Sequence, residues 1–306
     1  MITPPILQPG QIEAAAGALP ELLLPPAHLF ADRARRFRQL AEGNALADYL
    51  QFLARLAEWQ QTELDLHPEI PVPDPNLMDR CREHAMPPLA PAGWPRQPRW
   101  QEAARRAIDA VNQEIPLKGR QALSLLLKAD SGWLETQADA LLQGNIAQLD
   151  LAAAPLIGAV LQVQWTYLVR HLLASQVGRP ERPVLCPVCG SPPVASVIHV
   201  TGSTRGLRYL HCALCGSAWH VVRAKCSRCA NTKGIEYFGL EGTNGDVRAE
   251  ACPKCCCYLK IFSLEKDASA DPVADDIATL ALDLLMSEKH YARGSINLFM
   301  IPGREI

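Results

Sequence analysis

Four Cys-x-x-Cys pairs are the residues of this sequence best suited to chemistry. Ten of the eleven cysteines lie between positions 186 and 257. Two intervening residues let a tight turn aim both sulfurs at one ion, and two such turns complete a tetrahedron. We therefore predict that the paired cysteines are metal ligands. They are Cys186, Cys189, Cys212, Cys215, Cys226, Cys229, Cys252 and Cys255.

The spacing of the pairs indicates a duplicated module. Each cysteine of the first half recurs 40 positions later, so both halves read C-x2-C-x22-C-x2-C. This register predicts one four-cysteine site within residues 186–215 and a second within residues 226–255. The intervening segments "ASVIHV", "LRYLHC", "IEYFGL" and "DVRAEA" fit short strands. Each unit is then a pair of Cys-x-x-Cys turns (knuckles) on β-hairpins, the zinc-ribbon or rubredoxin geometry.

The residue after each pair differs between the two halves. A small residue there allows a left-handed backbone, and Gly190 and Gly216 meet this need in the first unit. Ala230 and Cys256 occupy the equivalent positions of the second unit, whose turns are therefore less ideal. Cys256 and Cys257 leave three roles open: spare ligands, exposed reactive thiols, or ordinary buried small residues.

The sequence around the cysteines narrows the kind of site that they form. Thioredoxin-like redox pairs open a helix after a strand in a βαβ unit, and no such pattern surrounds these cysteines. A tetrahedral sulfur site suits zinc or a rubredoxin-like iron, and ligand type alone does not separate them. Zinc would be structural, whereas iron would also be able to exchange an electron.

The elements that position the cysteines are predicted to be helices before them and after them. Residues 1–178 read as a helical domain with amphipathic stripes, such as Phe30 and Phe37, and with an irregular proline-rich connection over residues 67–98. Further helices are predicted at Trp100–Asn112, Leu117–Leu127, Ser131–Leu142 and Leu151–Ser175. The last contains a charge-free stretch, broken by proline and glycine, that we interpret as a buried core helix and not a membrane span.

The rest of the chain divides into three predicted parts. Residues 184–222 and 223–266 form the two tandem four-cysteine modules, and residues 271–306 form a C-terminal helix and tail. Asp271 is the expected N-cap of that helix, with Pro272 in its first turn and Gly294 as its stop. The fold class is α with small β: an all-helical N-terminal domain, two rubredoxin-like or zinc-ribbon-like modules and a C-terminal helix.

Charge gives no reason to expect nucleic acid or an anionic membrane surface. The 306 residues are 48% hydrophobic and 20% charged, with a net charge of −2. Residues 181–266 hold 11 Lys/Arg and 6 Asp/Glu, and eight thiolates with two divalent ions bring this region close to neutrality, unlike a phosphate-binding ribbon. Four arginines near position 35 are expected to form a solvated helix face. The start "MITPPILQPG" lacks the features of a signal peptide, so we expect a cytoplasmic protein with reduced thiols.

Three segments together resemble a known family. They are the opening "CPVCG", the run "GLRYLHCALCGSAWH" and the closing "DDIATLALDLLMSEKHYARGSINLF". With the helical first half and the four pairs in this register, they are similar to the formate dehydrogenase accessory protein FdhE family over nearly the whole chain.

The resemblance implies a function and a metal. It implies two ions per chain, with iron favoured and zinc possible, held by the eight paired cysteines. It also implies a cytoplasmic assembly factor that binds the catalytic subunit of formate dehydrogenase and has no substrate of its own. No Ser-His-Asp set, phosphate loop or HExxH motif is present in the sequence to suggest an independent enzyme. Two alternatives remain open: a zinc-ribbon nucleic-acid-binding protein and a small iron electron-transfer protein.

Overall fold

The fold consists of a helical layer and one eight-stranded β-sheet. The first, two-residue strand of the sheet comes before the helices, and two short helices come before its last strand. A computed structural model describes residues 20–66, 70–94, 96, 99–111, 126–180, 184–200, 206–223, 225–240 and 245–301. The helices are α1 (Leu29–Ala41), α2 (Ala47–Asp65), α3 (Pro75–Glu83), α4 (Arg99–Val111), α5 (Ser131–Gln143), α6 (Ala154–Arg170), α7 (Ala274–Ala278) and α8 (Leu280–Glu288). The strands are β1 (Leu22–Leu23), β2 (Pro193–Ile198), β3 (Arg208–Cys212), β4 (Ala218–Val221), β5 (Glu236–Phe238), β6 (Val247–Cys252), β7 (Cys257–Ser263) and β8 (Ala292–Arg293). This architecture confirms the predicted fold class.

The helical layer is held together by the predicted apolar stripes. Phe30 and Phe37 of α1 are fully buried, and each contributes about 1.5–3 kcal/mol by leaving water. Helix α6 is buried along almost its whole length, and its Trp165 Nε1 donates to the carbonyl of Leu89 at 2.9 Å. The charge-free stretch is therefore a core helix. None of the described helices combines the length and the apolar character that crossing a membrane requires.

In the helical region, one connection predicted to be irregular contains a helix, and one predicted helix falls almost wholly outside the described residues. The connection over residues 67–98, predicted to be irregular, contains the short helix α3. Its start is explained by Pro75 at the first helical position and by Asp74, whose side chain accepts from the backbone N–H of Asn76 at 2.8 Å. The predicted helix Leu117–Leu127 lies almost wholly outside the described residues.

Both cysteine modules contribute to a single sheet. The strand order is β1-β4-β3-β2-β7-β6-β5, and β8 pairs with β7. Each module supplies three antiparallel strands, and the two sets meet where β2 pairs with β7 in parallel, with Ser196 opposite Ile261. Five of the six residues of β2 are buried, because strands flank it on both sides and other elements cover its faces. The two modules therefore share one continuous backbone hydrogen-bond network.

The predicted C-terminal helix is interrupted. Thr279 separates α7 from α8. At this break the buried ammonium of Lys260 donates to the carbonyls of Asp276 and Thr279 at 2.6 and 3.1 Å. Asp271 still caps the first helix, since its Oδ1 accepts from the backbone N–H groups of Val273 and Ala274.

The arginine-rich helix α1 corrects the expectation of a fully solvated face. Arg33 is 3% exposed, and its Nε donates to Asp271 at 3.1 Å. Arg36 Nε donates to Asp275 at 2.9 Å. Only Arg35 and Arg38 are exposed as expected. Half of the arginine cluster therefore fastens the helical layer to the C-terminal segment.

Candidate metal centres

The eight paired cysteines form two groups of four sulfurs. The first group contains Cys186, Cys189, Cys212 and Cys215; the second contains Cys226, Cys229, Cys252 and Cys255. Within each group all sulfurs lie within 4.8 Å of one another. Two pairs in the first group lie 3.4 and 3.6 Å apart, and two pairs in the second group each lie 3.7 Å apart. Four sulfurs at about 2.3 Å from one ion lie about 3.8 Å apart, so each group has the dimensions of a tetrahedral metal site.

The grouping follows the duplication predicted from the sequence. Cys186 and Cys215 lie across the first site, as Cys226 and Cys255 do across the second. No sulfur of one module enters the other module's group. The predicted pairing of knuckles within each module is therefore what the tertiary structure brings together.

Three of the four knuckles close by the same backbone hydrogen bond, from the residue after the second cysteine to the carbonyl of the first. In the first, the N–H of Gly190 donates to the carbonyl of Cys186 at 2.8 Å. The residue after the second cysteine has positive φ in all four knuckles: 75° at Gly190, 72° at Gly216, 59° at Ala230 and 51° at Cys256. This confirms the expected left-handed backbone. A left-handed conformation costs a non-glycine residue roughly 1–2 kcal/mol, so the second module carries strain that the first lacks.

The surroundings of the two centres differ. All four cysteines of the first group are at most 2% exposed. In the second group, Cys229 and Cys255 are only half-buried. The first centre is covered by the helical layer, because a Cβ at Gly216 would lie 2.7 Å from the side chain of Leu29. The second centre lies closer to the surface.

Hydrogen bonds to sulfur complete the knuckles. Backbone N–H groups point at sulfur in both modules: Cys215 N lies 3.5 Å from Cys212 Sγ, and Arg228 N lies 3.4 Å from Cys226 Sγ. The side-chain amide of Asn231 donates to Cys252 Sγ at 3.6 Å. Such donors stabilise thiolates, the form in which cysteine binds a metal.

The polar side chains that contact the sulfurs were not predicted, although the sequence holds a signal for them. A polar residue occurs two positions after the second cysteine in three of the four knuckles, as Ser191, Ser217 and Asn231. The thiol of Cys215 donates to the hydroxyl oxygen of Ser217 at 3.4 Å.

Burial and neighbouring thiols shift the pKa values of three cysteines of the first centre. Burial raises the pKa of the Cys186 and Cys212 thiols well above the ordinary value. Burial disfavours ionisation of Cys189 too, but hydrogen bonds from the other three thiols outweigh it and lower the pKa of Cys189. A bound metal ion would compensate four thiolates and release the remaining protons.

A buried ion pair that was not predicted from the sequence joins the two modules. Arg208 on β3 and Glu250 on β6 are 0% and 3% exposed, and their charged ends lie 2.9 Å apart. Arg208 also donates to Ser196 Oγ at 3.2 Å and to the carbonyls of Arg223 and Lys225, each at 3.0 Å. It therefore holds the connection between the modules as well as the second module's sheet.

The cysteines outside the two groups have different environments. Cys256 is exposed, whereas Cys257 is buried in β7 and its sulfur lies 3.2 Å from the carbonyl of Cys255. Cys81 is buried in α3, within the helical layer. None of the three belongs to either four-cysteine group.

Comparison with known proteins gives consistent matches along the chain. The family models described as FdhE, N-terminal, FdhE, central domain, and FdhE, C-terminal domain match residues 19–181, 185–223 and 224–300. The chain is 43% identical to the Protein FdhE homolog of Stutzerimonas stutzeri (strain A1501) over 300 residues, covering 98% of each protein. It is also 43% identical to the homolog from Pseudomonas aeruginosa strain PAO1, covering 98% of this chain and 99% of the other.

A solved structure supports the same relationship. The crystal structure of the FdhE protein from Pseudomonas aeruginosa superposes with a TM-score of 0.84 at 40% sequence identity, covering 93% of this chain and 100% of that one. The duplicated four-cysteine groups, the shared sheet and these full-length matches lead to one conclusion: the chain belongs to the FdhE family.

Proposed function

We propose that this protein is an accessory factor for the maturation of formate dehydrogenase. In this proposal it binds the enzyme's catalytic subunit and has no reaction of its own. Membership of the FdhE family, established over the full chain, is the observation that carries the proposal. We further propose that it acts in the cytoplasm, where thiols stay reduced and free to bind metal.

We also propose that the two four-cysteine groups each hold one metal ion. Iron is favoured by the family resemblance, and zinc fits the same tetrahedral sulfur set. The sulfur separations and the N–H groups that point at sulfur support this assignment. A bound ion would fix the two knuckles of its module around it, because in small modules the free energy of metal binding is largely folding free energy.

The division of labour follows from this assignment. Residues 1–178 act as a metal-independent helical domain, residues 184–222 and 223–266 as the two metal modules, and residues 271–306 as the segment that ties them together. The ion pairs of α1 with the C-terminal segment and the Arg208–Glu250 pair support a scaffold whose parts hold one another in place.

A binding experiment tests the proposal. Protein purified without oxygen is used to capture a formate dehydrogenase catalytic chain, and metal content and absorption are recorded on the same sample. We expect capture by the wild type and weakened capture by Cys212→Ser/Cys215→Ser, because a knuckle without its ion loses its shape. Cys81→Ser is the matched control, since Cys81 lies outside both groups.

Three results would count against the proposal. Equal capture by the metal-free variant would remove the role assigned to the centres. Absence of capture by the wild type would contradict the accessory function. Tight nucleic-acid binding that weakens steeply with salt would favour the alternative of a nucleic-acid-binding ribbon.

A further inference from the structure

The equivalent knuckle faces of the two duplicated modules have different surroundings. In the first module the knuckles lie against the helical layer. The backbone N–H of Leu89 donates to the carbonyl of Val188 at 2.9 Å, and Gln162 of α6 donates to the carbonyl of Ala213 at 2.6 Å. A Cβ at Gly190 would touch Pro87 at 3.3 Å. The first module's knuckle face is therefore an internal docking surface within this chain.

The equivalent face of the second module is not covered in this way. The 40-residue register relates Val188, Pro193, Leu214 and Gly216 to Arg228, Lys233, Lys254 and Cys256. The side chains of Val188, Pro193 and Leu214 are buried, whereas those of Arg228, Lys233, Lys254 and Cys256 are all exposed. We call these four exposed residues the second knuckle face.

The second knuckle face also differs from the equivalent face of the first module in the chemistry of its side chains. Three apolar residues of the first module become three cations in the second. Among the described residues, no ion pair engages Arg228, Lys233 or Lys254. The first module, residues 184–222, holds two Lys/Arg and no Asp/Glu, whereas residues 223–266 hold eight Lys/Arg and five Asp/Glu. The two modules therefore differ by only one unit of net charge, +2 against +3, and what distinguishes the second is that three of its cations stand on the exposed knuckle face.

The cations lie on the turns that close the centre. Arg228 stands between Cys226 and Cys229, and Lys254 stands between Cys252 and Cys255. Lys233 precedes Gly234, where an added Cβ would lie 3.3 Å from Pro253, the neighbour of Lys254. The two knuckles therefore present their cations on adjoining turns, next to the half-buried sulfurs of Cys229 and Cys255.

We infer that the second knuckle face is the surface that binds the partner protein, and that it binds an acidic segment of that partner. The inference rests on the proposed accessory function and adds to it which centre meets the partner. The first module shows that a knuckle face of this fold serves as a docking surface. Unpaired exposed cations on the second select an acidic surface, because complementary charge speeds encounter and excludes wrong partners.

The test compares two triple charge reversals. The docking variant is Arg228→Glu/Lys233→Glu/Lys254→Glu. The control variant is Arg80→Glu/Arg105→Glu/Lys128→Glu, three exposed cations of the helical region without ion pairs among the described residues. Both variants change the net charge equally. Their affinity for a formate dehydrogenase catalytic chain is measured at low and at physiological salt, after metal analysis confirms equal metal content.

We expect the docking variant to bind about 100-fold more weakly and the control variant to bind within about threefold of the wild type. Salt should weaken the wild type more than the docking variant, because only the wild type retains the attractive charges. Equal affinity of wild type and docking variant would overturn the inference while leaving the accessory function intact. Equal losses in both variants would overturn it too, since net charge alone would explain them.

Two further outcomes would show whether the accessory function itself fails or whether the face binds nucleic acid. If the wild type does not bind the catalytic chain at all, the accessory function fails and this inference fails with it. A parallel titration uses a DNA duplex and a single-stranded RNA. Tight binding of either by the wild type, lost in the docking variant, would show that the face recognises phosphates and not an acidic protein.

Discussion

The Arg208–Glu250 pair offers the sharpest test of how the two modules depend on each other. Replacing Arg208 with Met removes a buried cation and leaves the Glu250 carboxylate without its partner. Removal of one member of a buried pair costs about 3–5 kcal/mol, because the remaining charge is uncompensated. Two backbone carbonyls, those of Arg223 and Lys225, lose their donor at the same time. We therefore expect Arg208→Met to lower the free energy of unfolding by at least about 3 kcal/mol.

The assay is urea unfolding of the metal-loaded protein, followed by circular dichroism and by tryptophan fluorescence. Arg38→Met is the matched control. Arg38 pairs with Glu58, but the two side chains are 43% and 51% exposed, and exposed pairs contribute about 0–1 kcal/mol. The double variant Arg208→Met/Glu250→Gln should cost less than the single one, since it leaves no buried charge. The two orphaned carbonyls keep the recovery incomplete.

Two results would contradict the role assigned to the Arg208–Glu250 pair. A loss below about 1 kcal/mol for Arg208→Met would equal that of an exposed pair and would refute the assigned role. A double variant no more stable than the single one would show that the stranded Glu250 charge is not the cause. Loss of metal from both centres in Arg208→Met would indicate that the ion pair couples the modules, whereas retention of both ions would limit its effect to the shared sheet.

Three further predictions concern the centres and their supports. Gly216→Ala should destabilise the protein by about 1–3 kcal/mol more than Gly144→Ala, because both glycines have positive φ but only a Cβ at Gly216 meets neighbouring atoms; equal losses in urea unfolding would contradict this. A chelator should remove metal in two phases, the faster from the more exposed second centre, and Cys226→Ser/Cys229→Ser should abolish only the fast phase; a single rate in the wild type would be evidence against two unlike sites. Burial disfavours ionisation of Asp276, but Lys260 and Arg293 outweigh it and hold the pKa of Asp276 below its ordinary value. Its ionised form therefore stabilises the fold above about pH 4, and this contribution is lost as the pH falls through the lowered pKa; the stability difference between wild type and Asp276→Asn should shrink over that range in acid unfolding curves.

The cysteine chemistry of this protein could be predicted from its sequence because it is local. Two residues between cysteines specify a turn, and the 40-residue repeat specifies which turns belong together. The left-handed positions followed from the same reasoning, and the structure places positive φ at all four. The helices with strong apolar periodicity were also predictable, because a stripe such as Phe30 and Phe37 reports burial directly.

The tertiary structure decided which charges are buried and which are exposed. Sequence periodicity treated the arginines of α1 as one solvated group, yet Arg33 meets Asp271, a residue 238 positions away. Lys260 donates to two carbonyls at the break in a predicted helix, in a segment that follows it by 16 to 19 residues. Such pairs depend on how distant elements meet, and no local pattern encodes that meeting.

The packing of distant elements also explains why the two modules have different environments. Their cysteine register is identical in sequence, so the pattern by itself makes the two centres equivalent. Only the packing of the helical layer against Val188 and Gly190 of the first module, with the matching face of the second left exposed, makes one centre internal and the other accessible. The sequence thus determined two four-cysteine groups, and the tertiary contacts around them determined how the two differ.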